Sequence, residues 1–149
     1  MSSRCRAAAL RFLKIRPRSV QEMRDKLLKK DYSTLEVDAE IEYLKSIELL
    51  DDRAFSASWI RYRLARPFGF RRIITELRAK GIAEDIIVQS VALAKGDYNE
   101  QETIEDVASR RLERLGGIEP LKRKKRVSDY LLRRGFSMDA VIKVIKKLC

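Results

Sequence analysis

Histidine is absent from the 149 residues, which removes the commonest general base and the commonest metal ligand. Cysteine is nearly absent as well. Cys5 and Cys149 stand near opposite ends, without metal spacing and without a histidine that could make a Cys–His nucleophile. No structural disulfide is expected of what reads as a cytoplasmic chain. No apolar run approaches the roughly 18 residues of a membrane span, and the first residues carry no signal-peptide pattern, so no membrane is expected. Nor does a Gly-rich loop precede a Lys-Ser or Lys-Thr pair to cradle phosphates. Asp51 and Asp52 are the remaining candidates for a divalent cation, but adjacent acids ahead of an apolar helix serve as caps. These absences point away from an enzyme, and neither a cofactor nor a metal is expected.

Proline is also scarce, at positions 17, 67 and 120 only, each near an expected helix boundary. With no window of sustained strand alternation, the fold class is all-α. What is present is a repeat. Leu27, Leu77 and Leu131 stand at offsets of 50 and 54 residues. The same offsets align Met23 with Ile73 and Val127, and Tyr32 with Ile82 and Phe136. They align Val37 with Ile87 and Val141, Ile41 with Val91 and Ile145, and Leu44 with Ala94 and Leu148. The chain therefore reads as a tandem array of three three-helix repeats, 1–48, 49–97 and 98–149, forming one elongated, curved and cooperative body. Units of this size bury too little surface alone and need their neighbours.

Local signals place the helices. Ser19 with Glu22, and Ser33 with Glu36, read as capping boxes. Asp51 and Asp52 suit the start of the helix whose apolar face is read as Phe55, Trp59 and Tyr62. Gly81 and Gly135 occupy one repeat position, where a helix ends in the left-handed conformation; Asp31 fills that position in the first repeat, less comfortably. Trp59, with Phe12, Phe55, Phe136 and Tyr32, is expected to pack in the core instead of stacking on bases.

The net charge is +11, spread as +3, +3 and +5 over the three repeats. Such a balance suits a polyanion or an acidic protein surface. In the repeat register Arg71 matches Lys125, Arg72 matches Arg126, and Lys80 matches Arg134 and Lys30; Arg133 matches Lys29. The expected result is a cationic ladder on the middle helices. Arg61, Arg63 and Arg66 beside Tyr62, and Lys122 with Arg123 in the run that reaches Arg126, add two further clusters. Basic side chains on rigid helices neutralise phosphates with little sequence preference.

The run Leu50-Asp51-Asp52-Arg53-Ala54-Phe55-Ser56, then Gly69, Arg72-Ile73, Glu76-Leu77 and Lys80-Gly81-Ile82, resembles the RecX regulators of the RecA recombinase. Arg16-Pro17-Arg18-Ser19 with Glu22-Met23 and Leu27 resembles that family's opening pattern. The resemblance is distinctive over about residues 5–95 and looser beyond. It implies tandem three-helix repeats and a non-enzymatic role. The implied partner is the RecA recombinase filament, bound in its helical groove, with non-specific DNA contact in some members of the family; contact through phosphates and a monomeric state are expected of this chain. Filament growth, ATP hydrolysis, strand exchange and co-protease activity would be modulated. Ser56 stands where Ala is usual. The alternative is a helix-turn-helix or other basic DNA- or RNA-binding protein without a recombinase partner.

Overall fold

The computed structural model describes residues 3–149. Among them every regular element is a helix: α1 Ser3–Ile15, α2 Val20–Lys29, α3 Thr34–Ser46, α4 Asp52–Leu64, α5 Phe70–Ala79, α6 Glu84–Lys95, α7 Glu100–Arg114, α8 Pro120–Arg133 and α9 Met138–Leu148. They fall into three tandem helix triplets, as the periodicity requires. The aligned leucines Leu27, Leu77 and Leu131 are all fully buried, as are Met23, Ile73 and Val127. The alignment fails at its last position, where Leu44 is buried but Leu148 is 36% exposed at the end of α9.

Capping explains where α2 begins. The Ser19 hydroxyl accepts the Glu22 N–H at 3.1 Å, and the Glu22 carboxylate accepts the Ser19 N–H at 3.1 Å, so two free donors are satisfied reciprocally. At Ser33 the expected box is only half made: its hydroxyl accepts the Glu36 N–H, without the return bond. The turns after α5 and α8 use Gly81 (φ +77°) and Gly135 (φ +95°), and Asp31 takes the same left-handed conformation at φ +66°.

Two compact units emerge, and they do not follow the repeat boundaries. One runs up to Ser58 and adds Leu77–Ser90; the other comprises Trp59–Glu76 and Val91–Cys149. The divisions fall inside α4, α5 and α6. The first unit packs Ala8 and Ala9 of α1, Met23 and Leu27 of α2, and Val37, Ile41 and Leu44 of α3 around Leu50. The second packs Ile104 and Ala108 of α7, Val127 and Leu131 of α8, Phe136, and Val141, Val144 and Ile145 of α9. Each large aliphatic side chain fully buried in this way contributes roughly 1.5–3 kcal/mol.

The apolar face of α4 differs from the expected one. Phe55 and Ile60 are buried, whereas Trp59 is half-buried and Tyr62 is 47% exposed. The indole explains the shift: its N–H needs an acceptor and finds the Glu76 carboxylate at 3.1 Å, which holds the ring at the margin beside Arg63.

Candidate nucleic-acid interface

The middle helices of the second and third repeats begin against their own dipoles. A helix N-terminus carries partial positive charge and favours acids in its first turn. Glu22 and Glu36 supply them in α2 and α3. The first turns of α5 and α8 contain none. Instead α5 opens Phe70-Arg71-Arg72, and α8 opens with Pro120 and carries Lys122 through Arg126 in its first two turns. Glu119 precedes α8 without a side-chain capping bond. Cations and the positive end of the helix dipole thus converge on one end of each helix, an arrangement that an anion relieves. Arg71, Lys122 and Arg126 are exposed there. Lys125 reaches Asp129 one turn on at 3.3 Å, an exposed pair of little energetic weight. Arg123 is half-buried, and Arg61 and Arg133 are exposed.

Three of the expected basic site residues, Lys80, Arg134 and Arg63, are engaged in the fold. Lys80 pairs with Glu22 at 3.3 Å, and its backbone carbonyl accepts the Ser19 hydroxyl at 2.7 Å. Glu22 also takes Arg16 at 2.5 Å. Burial pushes the Glu22 carboxyl up, but the Arg16 hydrogen bond, the Ser19 N–H and the Lys80 and Arg16 charges outweigh it and bring it down to about 2. The Gly81 turn presses on α2 so closely that a Cβ there would lie 2.4 Å from Gln21 Cβ.

Arg134 does the corresponding work in the second unit by other means. Its carbonyl accepts the Gly69 N–H at 2.7 Å, and the Gly135 carbonyl accepts the Arg71 N–H at 3.1 Å. Its guanidinium donates to the carbonyls of Arg66 and Pro67 and lies 3.8 Å from the Phe68 ring centroid. Backbone meets backbone here, since a Cβ on Gly69 would stand 2.3 Å from the Gly135 carbonyl carbon.

Phe68 is the hub that the sequence did not announce. Besides Arg134 it receives Arg72 at 4.4 Å and Arg63 at 4.6 Å, from α5 and α4. Glu76 is the counter-charge: it takes two Arg63 bonds at 2.9 and 2.6 Å, the Trp59 indole, and Arg72 at 3.4 Å. Arg63 is thereby fixed, while Arg72, 42% exposed, keeps part of its fork outward. Arg66 lies 3.7 Å over the exposed Tyr62 ring. Only the spacing of Trp59, Arg63 and Glu76 hints at the cluster, which takes shape through the pairing of α4 with α5.

The two acids that could have held a cation are both occupied by backbone donors. Asp51 accepts the Arg53 and Ala54 N–H groups at 3.0 and 3.2 Å and so caps α4. Asp52, which by position suits that same helix, instead caps α2, accepting the Val20 N–H at 2.9 Å. Burial pushes the Asp52 carboxyl up, with the Val20 bond opposing it and the Asp51 charge adding to it. Among the described residues no group of three His, Cys, Asp or Glu side chains is placed to hold a metal. No described helix is long and apolar enough to cross a membrane. An open groove in the second unit, between Pro67 and Leu148, is lined by Glu102, Glu105 and Asp106 together with Arg110, which pairs with Asp106.

Comparison with known proteins follows the same three-part division. Models of the first, second and third three-helix domains of RecX match residues 5–44, 51–90 and 98–145. The regulatory protein RecX of Pelodictyon phaeoclathratiforme is 34% identical over 141 residues, covering 94% of this chain and 86% of that protein. That of Chlorobium limicola is 33% identical, covering 95% and 87%. The crystal structure of RecX from Lactobacillus salivarius superposes with a TM-score of 0.82 at 25% identity, over 98% of this chain and 95% of that one.

Proposed function

The chain belongs to the RecX family of regulatory proteins, and from that membership we propose that it binds RecA recombinase–DNA filaments and restrains them. It modulates filament growth, ATP hydrolysis, strand exchange and co-protease activity in cytoplasmic recombination and DNA repair, including the SOS response. It acts as a monomeric, non-catalytic regulator. The observation that carries this reading is the sequential match of all three three-helix models along one chain. The cationic first turns of α5 and α8 supply the physical means: exposed cations at helix N-termini engage backbone phosphates or acidic loops without reading sequence. Contacts that are weak singly become strong in sum when one chain links them, because each bound site raises the effective concentration of the next. Sequence-specific duplex reading has less support, since exposed positions of α6 include Val88 and Leu93, which cannot read hydrogen bonds at base edges.

The test is recombinase ATP hydrolysis on single-stranded DNA, titrated with this protein. Inhibition is expected, and the triple variant Arg71→Glu, Lys122→Glu, Arg126→Glu should need about tenfold more protein for the same effect. Unchanged ATP hydrolysis with the unmodified chain would overturn the reading. Footprinting that revealed one preferred duplex sequence would replace it with the helix-turn-helix alternative.

A further inference from the structure

The first repeat has a cation cluster of its own, apart from α5 and α8. Arg18, Lys26 and Lys30 gather about one ring, Phe12, with their charges 5.8, 5.6 and 5.7 Å from its centroid. Lys26 and Lys30 are exposed. Arg18 is only 8% exposed, and of its five N–H donors one makes a hydrogen bond, a long one of 3.4 Å from Nε to the Phe12 carbonyl. Among the described residues no carboxylate stands within ion-pair distance of any of the three. The nearby acids are engaged elsewhere: Glu22 holds Arg16 and Lys80, and Asp25 accepts the Gln21 amide. The guanidinium nitrogens without a hydrogen bond still reach solvent, where an anion can meet them. Burial, followed by the Arg16 charge, lowers the affinity of Arg18 for its proton.

The repeat register explains why the cluster is open. Lys30 is the counterpart of Lys80 and Arg134. Those two are held by the preceding repeat, Lys80 on Glu22 and Arg134 on the Arg66 and Pro67 carbonyls. Lys30 turns to Phe12 instead. A side chain that serves as a fastener in two repeats here joins two other cations, with the Glu22 charge acting on Arg18 only from beyond ion-pair distance.

We propose that Arg18, Lys26 and Lys30 around Phe12 form a phosphate-binding site that takes the sugar–phosphate backbone of single-stranded nucleic acid. Arg18 supplies a fixed fork from within the fold, and the two lysines close over the anion as point charges. The ring is covered by cations and does not stack on bases, so the site reads charge and not sequence. The inference rests on the nucleic-acid contact in the function proposed above, and it adds a contact point in a repeat where the α5 and α8 ladder is interrupted by Gln21 and Glu22.

The experiment uses the full chain and a fluorescent 30-nucleotide oligothymidine, with affinity measured between about 50 and 200 mM salt. Lys26→Glu with Lys30→Glu should weaken binding at least tenfold at the lower salt. The slope of log affinity against log salt should fall by about 1.4, near 0.7 for each phosphate that is no longer neutralised. Lys45→Glu, on α3 and outside the cluster, should change affinity less than twofold. If helicity by circular dichroism falls in the reversed variant, Lys26→Ala with Lys30→Ala serves instead, with the same decrease in slope. Unchanged affinity and slope in a folded double variant would overturn the site, as would a chain that binds no oligothymidine at all. A chain that shows the expected salt dependence yet leaves recombinase ATP hydrolysis untouched upholds the site and sinks the recombinase reading.

Discussion

The start of α2 and the start of α5 receive the turn of the following repeat at the same register position, yet they hold it with different chemistry. At α2 the link runs through side chains: the Ser19 hydroxyl donates to the Lys80 carbonyl, and Glu22 grips the Lys80 amine. At α5 the link is main chain to main chain, with the Gly69 N–H on the Arg134 carbonyl and the Arg71 N–H on the Gly135 carbonyl. A serine permits the first because its hydroxyl bridges the gap. The second needs glycine because there is no gap to bridge. Equivalent positions in a repeat can thus preserve a junction while exchanging the atoms that make it, and the two junctions should fail under different perturbations.

Gly69→Ala should break the main-chain junction most severely. Its Cβ would overlap the Gly135 carbonyl at 2.3 Å, against backbone that cannot step aside. A loss of about 3 kcal/mol is expected in urea unfolding; a loss below about 1 kcal/mol would show that the two turns do not touch.

Next in size, Glu22→Gln should weaken the side-chain junction by about 2 kcal/mol, since three partners lose a charged acceptor. The pH dependence has a definite sign. The folded carboxyl lies near 2 against an ordinary 4.5, so its stabilisation is present in full above about 4.5 and is lost as pH falls toward 2. Hydrogen-exchange protection factors at Ser19–Met23 should therefore fall on acidification in the unmodified chain, and that fall should be largely absent from the Gln variant. The Gly69 N–H bond has no titrating partner and should not follow that curve.

Smallest, Ser19→Ala should cost about 1 kcal/mol through removal of the cap and of the bond to Lys80. Ser19→Gly should cost about as much if the hydroxyl bridge dominates, and only a few tenths if capping does. Thermal melts of the pair separate the two contributions.

Much of this architecture is legible in the residues. The buried triplets sit at fixed offsets because each repeat solves the same packing problem, and Ser19, Gly81 and Gly135 announce helix ends through local backbone chemistry alone. What stays hidden depends on partners distant in sequence. Nothing near Asp52 says that it caps α2, 32 residues earlier. Nothing near Trp59 says that Glu76 draws its indole to the margin. The basic ladder is visible as a pattern of charge, but burial and pairing divide it. Arg71 and Arg126 are presented outward, while Lys80 and Arg134 are spent on junctions.

That division bears on any alanine scan of the cationic residues. Lys80, Arg63 and Arg134 would score as hot positions in a filament-inhibition assay whether or not a ligand ever touches them, because truncating each one loosens the scaffold that aims the rest. Normalising each variant to its folded fraction separates fasteners from ligand-binding groups, and the fasteners should then drop out of the ranking.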